Sequence, residues 1–454
     1  MRSLTLTPFE ESLYTDDWPA YPWNILFRLR FAGELRRDRW EQAVAAVQLR
    51  HPLLRAKVRR GLFGRFHWTW PADPAERTDI AVHWNEHAPG ASPPLQRLTL
   101  EEGATFETWA AVAGGRSEFV FHFHHAVVDG IGAARAIADM LIAYDAAVRG
   151  IAPEWNELDP RRLAHRGKYG YNLGKLIRQA KKLSVGLAGV RQFLGREPVI
   201  AVPHEPVERM QKLPVGFPSL RAHAFSVDES QAVLKAARAG GTTVNNLLAR
   251  DLFLALHTWR ERLGLGDTNS DQWIRLTVPM SMRSPQDDAT PAANITTMVF
   301  LDRNAAQVTG DAATLLRGVH DEMEVIKTND LGMIFLLSLR LTALIPGMLA
   351  RTSRKQQFAC TAGLSNLVRP LETLPLEQAD GRFTVGDARL DDFEFYPPLR
   401  PRICVSIGIV TYAGRLRVCL QTDPRFISEA DATALLSTYA AQIAGSAGLS
   451  SPEQ

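Results

Sequence analysis

Apolar and polar side chains alternate along Phe119-Val120-Phe121-His122-Phe123-His124. That is the two-residue period of a strand, with the three phenylalanines on one face and Val120, His122 and His124 on the other, and it predicts a half-buried strand. Beyond Gly130 the period lengthens: Ile131, Ala134, Ile137, Ala138, Leu141, Ile142 and Ala146 share one face of a helix, with Gly150 as its stop. Trp40, Ala43, Val44 and Val47 repeat the helical spacing between Arg37 and Arg50, "HPLLRAKV" then turns into a strand, and "DIAVHWNEH" reads as another. The later half opens with a strand in "SLRAHAFSVD" and two helical patterns broken at Gly240-Gly241. Strands follow in "WIRLTVPMSM", "ITTMVFLD", "FACTAGLSNL", "ICVSIGIVTYAG" and "RLRVCLQTD", and a helix in "SEADATALLSTYAAQIAG" comes last. Mixed strands and helices of this kind point to an α/β architecture.

With 454 residues the chain exceeds one compact core, so two large units are expected. Apolar residues at 46% and charged residues at 22% exclude disorder as the main state. The net charge of +3 is too balanced for wholesale nucleic-acid binding, so any basic surface is local. One such region runs from Arg161 to Arg196, with ten Lys or Arg, no Asp or Glu, and Leu173, Leu176, Ala180, Leu187, Val190 and Leu194 at helical spacing. The division is therefore 1–160, a basic amphipathic connector 161–205, and 206–454. The connector is either a solvated helix over the junction or an interfacial helix that meets anionic lipid or an acidic carrier protein.

The stretch 331–350, "LGMIFLLSLRLTALIPGMLA", contains Arg340 and Pro346 and reads as a core or surface helix rather than a membrane span. The N-terminal "MRSLTLTPFEESLYTDD" reaches acidic residues before the apolar core of a signal peptide could form. A cytoplasmic chain is expected, with peripheral contact at the inner membrane face as the alternative the connector leaves open. Cys360, Cys404 and Cys419 have no framework spacing and read as buried thiols.

The chemistry concentrates in "HFHHAVVDG", residues 122–130, at a strand-to-helix junction where rigid elements hold a loop. His122, His124 and His125 could be hydrogen-bonded residues of a strand end. They could also supply metal ligands, His122 and His124 from one face with Asp129. A third reading makes His125 a general base: if strand geometry persists to it, His125 lies on the phenylalanine side, where desolvation keeps an imidazole neutral. Asp129, followed by a glycine that permits a tight turn, would then fix the loop.

"HHAVVDG" resembles the HHxxxDG signature of the chloramphenicol-acetyltransferase-like superfamily. That group includes condensation domains, polyketide-associated acyltransferases and bacterial wax ester synthase/diacylglycerol acyltransferases. The likeness extends in order through "LTPFEESLYTDD", "RHPLLRAKV", "TTVNNLLARDLFLAL", "LTVPMSMRS", "AANITTMVFLD", "LSNLVRPL" and "IVTYAGRLRVCLQTD". Asn246 stands where the wax ester synthase motif usually has Asp, and the plant-type DFGWG motif is absent.

The resemblance implies two chloramphenicol-acetyltransferase-like α/β sandwich domains in a V with a central tunnel. It implies His125 as catalytic base, His124 as its neighbour, and Asp129 as a structural residue paired with Arg283. Ser365 and Asn366 are candidates for the oxyanion or the tunnel lining, because polar groups interrupt an apolar strand there, and Gly130 is a further such position. His51 of "RHPLLR" reads as a helix C-terminal residue. The implied reaction moves an acyl group from coenzyme A or an acyl carrier protein to a hydroxyl acceptor, giving a lipid-type ester with no permanently bound cofactor. Rivals are an amide-forming condensation enzyme with carrier-bound substrates and, from another class, a non-catalytic binding module or the metal enzyme.

Overall fold

The computed structural model describes residues 1–61, 64–73, 80–168, 183–203, 213–214, 216–266, 272–345, 347–354 and 360–449. The strand expected around the histidines spans Arg116–His124 and lies inside a seven-stranded sheet. The order of that sheet is Gln378–Ala379, Arg382–Val385, Ala388–Tyr396, Asn24–Ala32, Arg116–His124, Phe106–Ala113, Val82–Trp84. A second seven-stranded sheet runs Thr296–Asn304, Gln272–Ser281, Ala362–Asn366, Val405–Tyr412, Arg415–Thr422, Ser219–Ala224, with Glu197–Pro198 beside Gln272–Ser281. Arg2–Thr5, Phe66–Trp70 and Lys57–Arg60 form a smaller third sheet. The mixed α/β class read from the sequence is the class observed.

The phenylalanine face of Arg116–His124 packs on two helices, Arg37–Arg50 and Gly130–Arg149. Trp40 is fully buried there, its ring 4.3 Å from Phe119, 5.8 Å from Phe121 and 6.1 Å from Tyr144. Burying aromatic side chains of this size contributes roughly 1.5–3 kcal/mol each. Gly150 stops the second helix at φ +69°, a conformation open to glycine at no steric cost.

The strand is not half-buried. Every residue from Ser117 to His124 is buried, because a loop over residues 85–98 covers the polar face. That loop binds the face through hydrogen bonds: Gly90 N donates to Glu118, Arg28 to Ser92 Oγ, and Gln96 Nε2 to Glu107. Alternation reported two faces correctly, but not that the second is packed by charged groups in pairs.

The halves interlock in two places. Ala388–Tyr396, from the later half, pairs antiparallel with Asn24–Ala32, so part of 206–454 completes the sheet of the earlier half. Its neighbour across the gap is Val405–Tyr412 of the second sheet, where a Cβ on Gly408 would overlap the Phe395 carbonyl oxygen. Arg417 pairs with Asp392 between the two sheets. The second link is the segment Thr290–Ile295, whose Ala292 and Ala293 are buried in the hydrophobic core of the earlier half.

Of the basic connector, Lys175, Arg178, Lys181 and Lys182 lie outside the described residues. Arg166 is buried against Glu10 at 2.6 and 2.8 Å, so this charge holds the fold and faces no partner. The helix Leu183–Gly195 exposes Val190 and Leu194, and its Gly186 sits against Ile334 with no room for a Cβ. Leu331–Thr342 is a helix with Gly332, Met333, Leu336 and Leu339 buried, and among the described residues no helix is long and apolar enough to cross a membrane. The three cysteines are buried and unbridged, and burial pushes the thiols of Cys360 and Cys404 up to about 12.

Replacing Gly408 by Ala is expected to force the sheets apart and cost about 1–3 kcal/mol, as overpacking a close contact does. A lower midpoint of urea unfolding is the expected result; an unchanged midpoint would mean the sheets part freely at this point.

Candidate active site

The strand ends at His124, and the chain turns before the helix that begins at Gly130. His125 is the first residue past the strand, and its backbone still pairs in register with Trp23, the residue before Asn24. Its backbone N–H donates to Trp23 O at 2.6 Å, and its ring stands edge-on to Phe9 and Trp23, 6.3 and 5.7 Å between centroids. The apolar surroundings expected for it are supplied by these two residues of distant segments.

His125 Nδ1 lies 3.2 Å from Val128 O. A carbonyl can only accept, so Nδ1 carries the proton and Nε2 keeps its lone pair. Burial pushes the imidazole below the ordinary histidine value and neighbouring His124 adds to this, while the carbonyls of His125 and Val128 and the charge of Asp129 pull it back in part. The net direction is downward, so the ring is neutral and basic at Nε2 near neutral pH.

Asp129 caps the helix, its Oδ1 accepting from Gly132 N at 2.8 Å and from Arg283 Nη2 at 2.9 Å. Its Oδ2 accepts from Arg283 Nη1 and Ile295 N, both at 2.8 Å. With four donors on two oxygens the carboxylate has no capacity left for a substrate. Arg283 Nη2 also donates to Ala293 O at 3.0 Å. Gly130 has ordinary helical geometry, so it is not there to permit a turn. A Cβ on it would come 2.8 Å from Leu367 Cδ2 and 3.3 Å from Phe395, and that close approach is what requires glycine.

The other two histidines turn away. His122 Nδ1 donates to Glu107 Oε1 at 2.7 Å. His124 Nδ1 accepts from Ala126 N at 3.0 Å, which leaves its Nε2 protonated and 3.4 Å from Asp17 Oδ2. Burial pushes the Asp17 carboxyl up, but His124, the Trp23 N–H and Arg97 outweigh it and hold it below the ordinary carboxylate value. His122, His124 and Asp129 thus belong to three separate polar clusters. Among the described residues no group of three or more His, Cys, Asp or Glu side chains could hold a metal ion.

His125 opens onto a cavity of about 530 Å³ that both halves line. Its apolar wall includes Phe9, Trp23, Met298, Phe335 and Leu339. Ser365, Asn366, Gly130 and Arg283 line the same space. Asn366 Oδ1 accepts from Val368 N at 2.7 Å, and Ser365 is 8% exposed. Asn246, where the motif departs from the family pattern, is buried beside the cavity, its Nδ2 donating to Thr242 Oγ1 at 3.0 Å and facing His320 Nδ1 at 3.4 Å.

Asn294 had no place in the sequence reading. Asn294 Nδ2 donates to His125 O at 2.7 Å and Ala126 O at 2.8 Å, gripping the turn from the opposite half. A polar side chain just before the apolar run of "AANITTMVFLD" was its signal.

The model of the wax ester synthase/diacylglycerol acyltransferase catalytic domain matches residues 110–247, and that of the WS/DGAT C-terminal domain matches 293–440. An uncharacterized protein of Mycobacterium tuberculosis is 24% identical over 455 residues, covering 94% of this chain and 95% of that protein. A candidate diacylglycerol O-acyltransferase of the same organism is 28% identical over 298 residues, 61% of this chain and 56% of that protein. Among solved structures, the first condensation domain of the calcium-dependent antibiotic synthetase, in complex with a substrate analogue, superposes with a TM-score of 0.70 at 14% identity, covering 100% of this chain and 98% of that one. A mutant starter condensation domain of rhizomide synthetase, in complex with C8-CoA and Leu-SNAC, does so at 0.65 and 13%, covering 98% and 94%. The likeness to these structures is one of fold.

Removing Arg283 leaves the buried Asp129 carboxylate without its charged partner, at an expected cost of about 3–5 kcal/mol. In a double-mutant cycle with alanine at both positions, unfolding measurements should show strong coupling. Additive losses would mean that the two groups do not act as a pair.

Proposed function

We propose, on the premise that this chain belongs to the chloramphenicol-acetyltransferase-like/condensation superfamily as a wax ester synthase/diacylglycerol acyltransferase-like member, that it transfers an acyl group from a thioester to a hydroxyl acceptor. The observation that carries the reading is the state of His125: Nδ1 bound to a carbonyl, Nε2 basic, the ring facing an apolar cavity. A neutral base facing a mainly apolar cavity suits proton abstraction from a group too weakly acidic to ionise in water.

In the proposed reaction Nε2 takes the hydroxyl proton as the oxygen attacks the thioester carbonyl carbon. The tetrahedral intermediate collapses, the carbon–sulfur bond breaks, and the thiolate recovers the proton from Nε2. No covalent enzyme intermediate is needed. General-base help of this kind contributes ~10²–10⁴-fold, and holding both substrates in one cavity contributes a larger entropic share. Ser365 and Asn366 are assigned to the developing oxyanion, with Gly130 lining the space beside it. Asp129 and Arg283 act by holding the turn.

The donor is an acyl chain on phosphopantetheine, as coenzyme A or an acyl carrier protein, and the mainly apolar wall favours a lipid acyl group. C8-CoA in the rhizomide synthetase neighbour supports a coenzyme A thioester here. The acceptor is assigned as an alcohol, in line with the family whose models match. An amine acceptor on a carrier gives the same proton balance and an amide product. Docking to a membrane surface or an acidic carrier through 161–196 remains part of this reading; among the described residues Arg161, Lys168 and Arg191 are its exposed charges.

Purified protein offered mixed acyl-CoAs with alcohols and amines is expected to give esters, detected by mass spectrometry. Amides alone would transfer the reading to the condensation reaction. His125→Ala should abolish transfer in a folded protein; full activity would end the assignment of the base. Because the histidine titrates below its ordinary ~6.5 and must be neutral, kcat/KM should stay level at pH 7. It should fall as pH drops through the lowered pKa, in a window set by His125 with Asp129 and His124 beside it. A limb centred above the ordinary value would contradict the burial argument.

A further inference from the structure

Resting on the reading of His125 as base, we propose that His51 is a positioning residue for the transfer: its Nδ1 fixes the segment Ala292–Ile295, which in turn holds the backbone of His125. His51 is fully buried at the end of the helix Arg37–Arg50, away from the cavity. Its Nε2 lies 2.8 Å from Asp139 Oδ2, an oxygen that also accepts from Arg50 Nε at 2.5 Å. A carboxylate accepts, so Nε2 of His51 donates and Nδ1 is left with the lone pair. That lone pair accepts from Ala292 N at 2.9 Å.

This bond crosses between the halves of the chain. The next three residues each bind at the turn or its partner: Ala293 O accepts from Arg283, Asn294 Nδ2 donates to His125 O and Ala126 O, and Ile295 N donates to Asp129. Four consecutive residues are therefore anchored, three at the site and one on His51. The segment has no slack on the opposite side either, since a Cβ at Gly132 would stand 2.8 Å from Ala293 O. Asn294 fixes the carbonyl of the very residue that carries the base, so a shift of Ala292 reaches the imidazole through two residues of rigid chain.

A merely structural role would rest on the other nitrogen, as a buried donor to Asp139. The two roles separate by substitution. In His51→Asn the amide oxygen falls near the position of Nδ1 and can still accept from Ala292, while the donor to Asp139 is lost. In His51→Gln the longer amide reaches Asp139, while the acceptor for Ala292 is lost.

The relay is expected to make His51→Gln the more damaging, with kcat down by about ten- to a hundredfold, as for a small displacement of a reacting group, and KM little changed. His51→Asn should show a smaller loss. Hydrogen exchange read by mass spectrometry should find peptides covering 290–296 and 122–129 less protected in His51→Gln than in His51→Asn, with the strands 405–422 unaffected in both. Equal losses, a greater loss in His51→Asn, or unchanged exchange at 122–129 would overturn the relay.

If His51→Gln does not fold, His51→Asn and Asp139→Asn decide, because both leave an acceptor for Ala292. The relay expects protection at 290–296 to persist in both, and its loss in either overturns it. Exchange does not depend on the chemistry of the site. If His125→Ala proved active while the exchange pattern held, the base assignment would fall and the tie from His51 to the turn would stand.

Discussion

Everything near the candidate base depends on one carboxylate. Asp129 begins the helix after the histidines, and its two oxygens accept from Gly132, twice from Arg283, and from Ile295. One donor is local, and three come from the other half of the chain. Burying a charge is costly unless every lone pair is met, and here they are met. The same bonds that satisfy the charge also fix the turn Ala126–Asp129 against Arg283 and the crossing segment. A group so fully bound is unsuited to act on a substrate; under the proposed function that part falls to His125, four residues earlier.

The three histidines divide by what each nitrogen meets. His122 donates to Glu107, and His124 stands between the Ala126 N–H and Asp17, so both belong to the packed polar face of their strand. His125 leaves the strand. Its Nδ1 meets a backbone carbonyl that cannot accept a second role as donor, and Nε2 remains basic toward the cavity. A tautomer is thereby selected by the backbone, and among the described residues no carboxylate makes a hydrogen bond to the ring. Burial then sets the protonation state, which a neighbouring carboxylate in direct contact would instead have pulled toward imidazolium.

The cavity and the fold are made by the same contacts. Its walls come from both halves, joined where Ala388–Tyr396 enters the earlier sheet and where Thr290–Ile295 enters the earlier core. Close approaches at Gly130, Gly132 and Gly408 leave no room for a side chain, so the halves meet at a set distance. Under the proposed function two substrates react with each other, and that fixed separation then supplies more of the rate than the base does.

Local pattern was enough for much of this. The period of two over residues 119–124, the period of 3.6 after Gly130, and the punctuation at Gly150 and Gly240-Gly241 gave elements that exist, because spacing along a chain determines which side chains share a face. The cluster of histidines with Asp-Gly marked the turn at which the proposed function places its base. What spacing could not give was the partner of each group. Burial of the polar strand face depends on a loop at 85–98, the surroundings of His125 on Phe9 and Trp23, and the grip on its carbonyl on Asn294, more than 160 positions away. Those contacts join segments far apart in the chain, and no periodicity records them. The sequence by itself determined which residues could serve as base, cap and counter-charge. Tertiary structure decided which nitrogen carries a proton, since that follows from the acceptor that packing brings within reach.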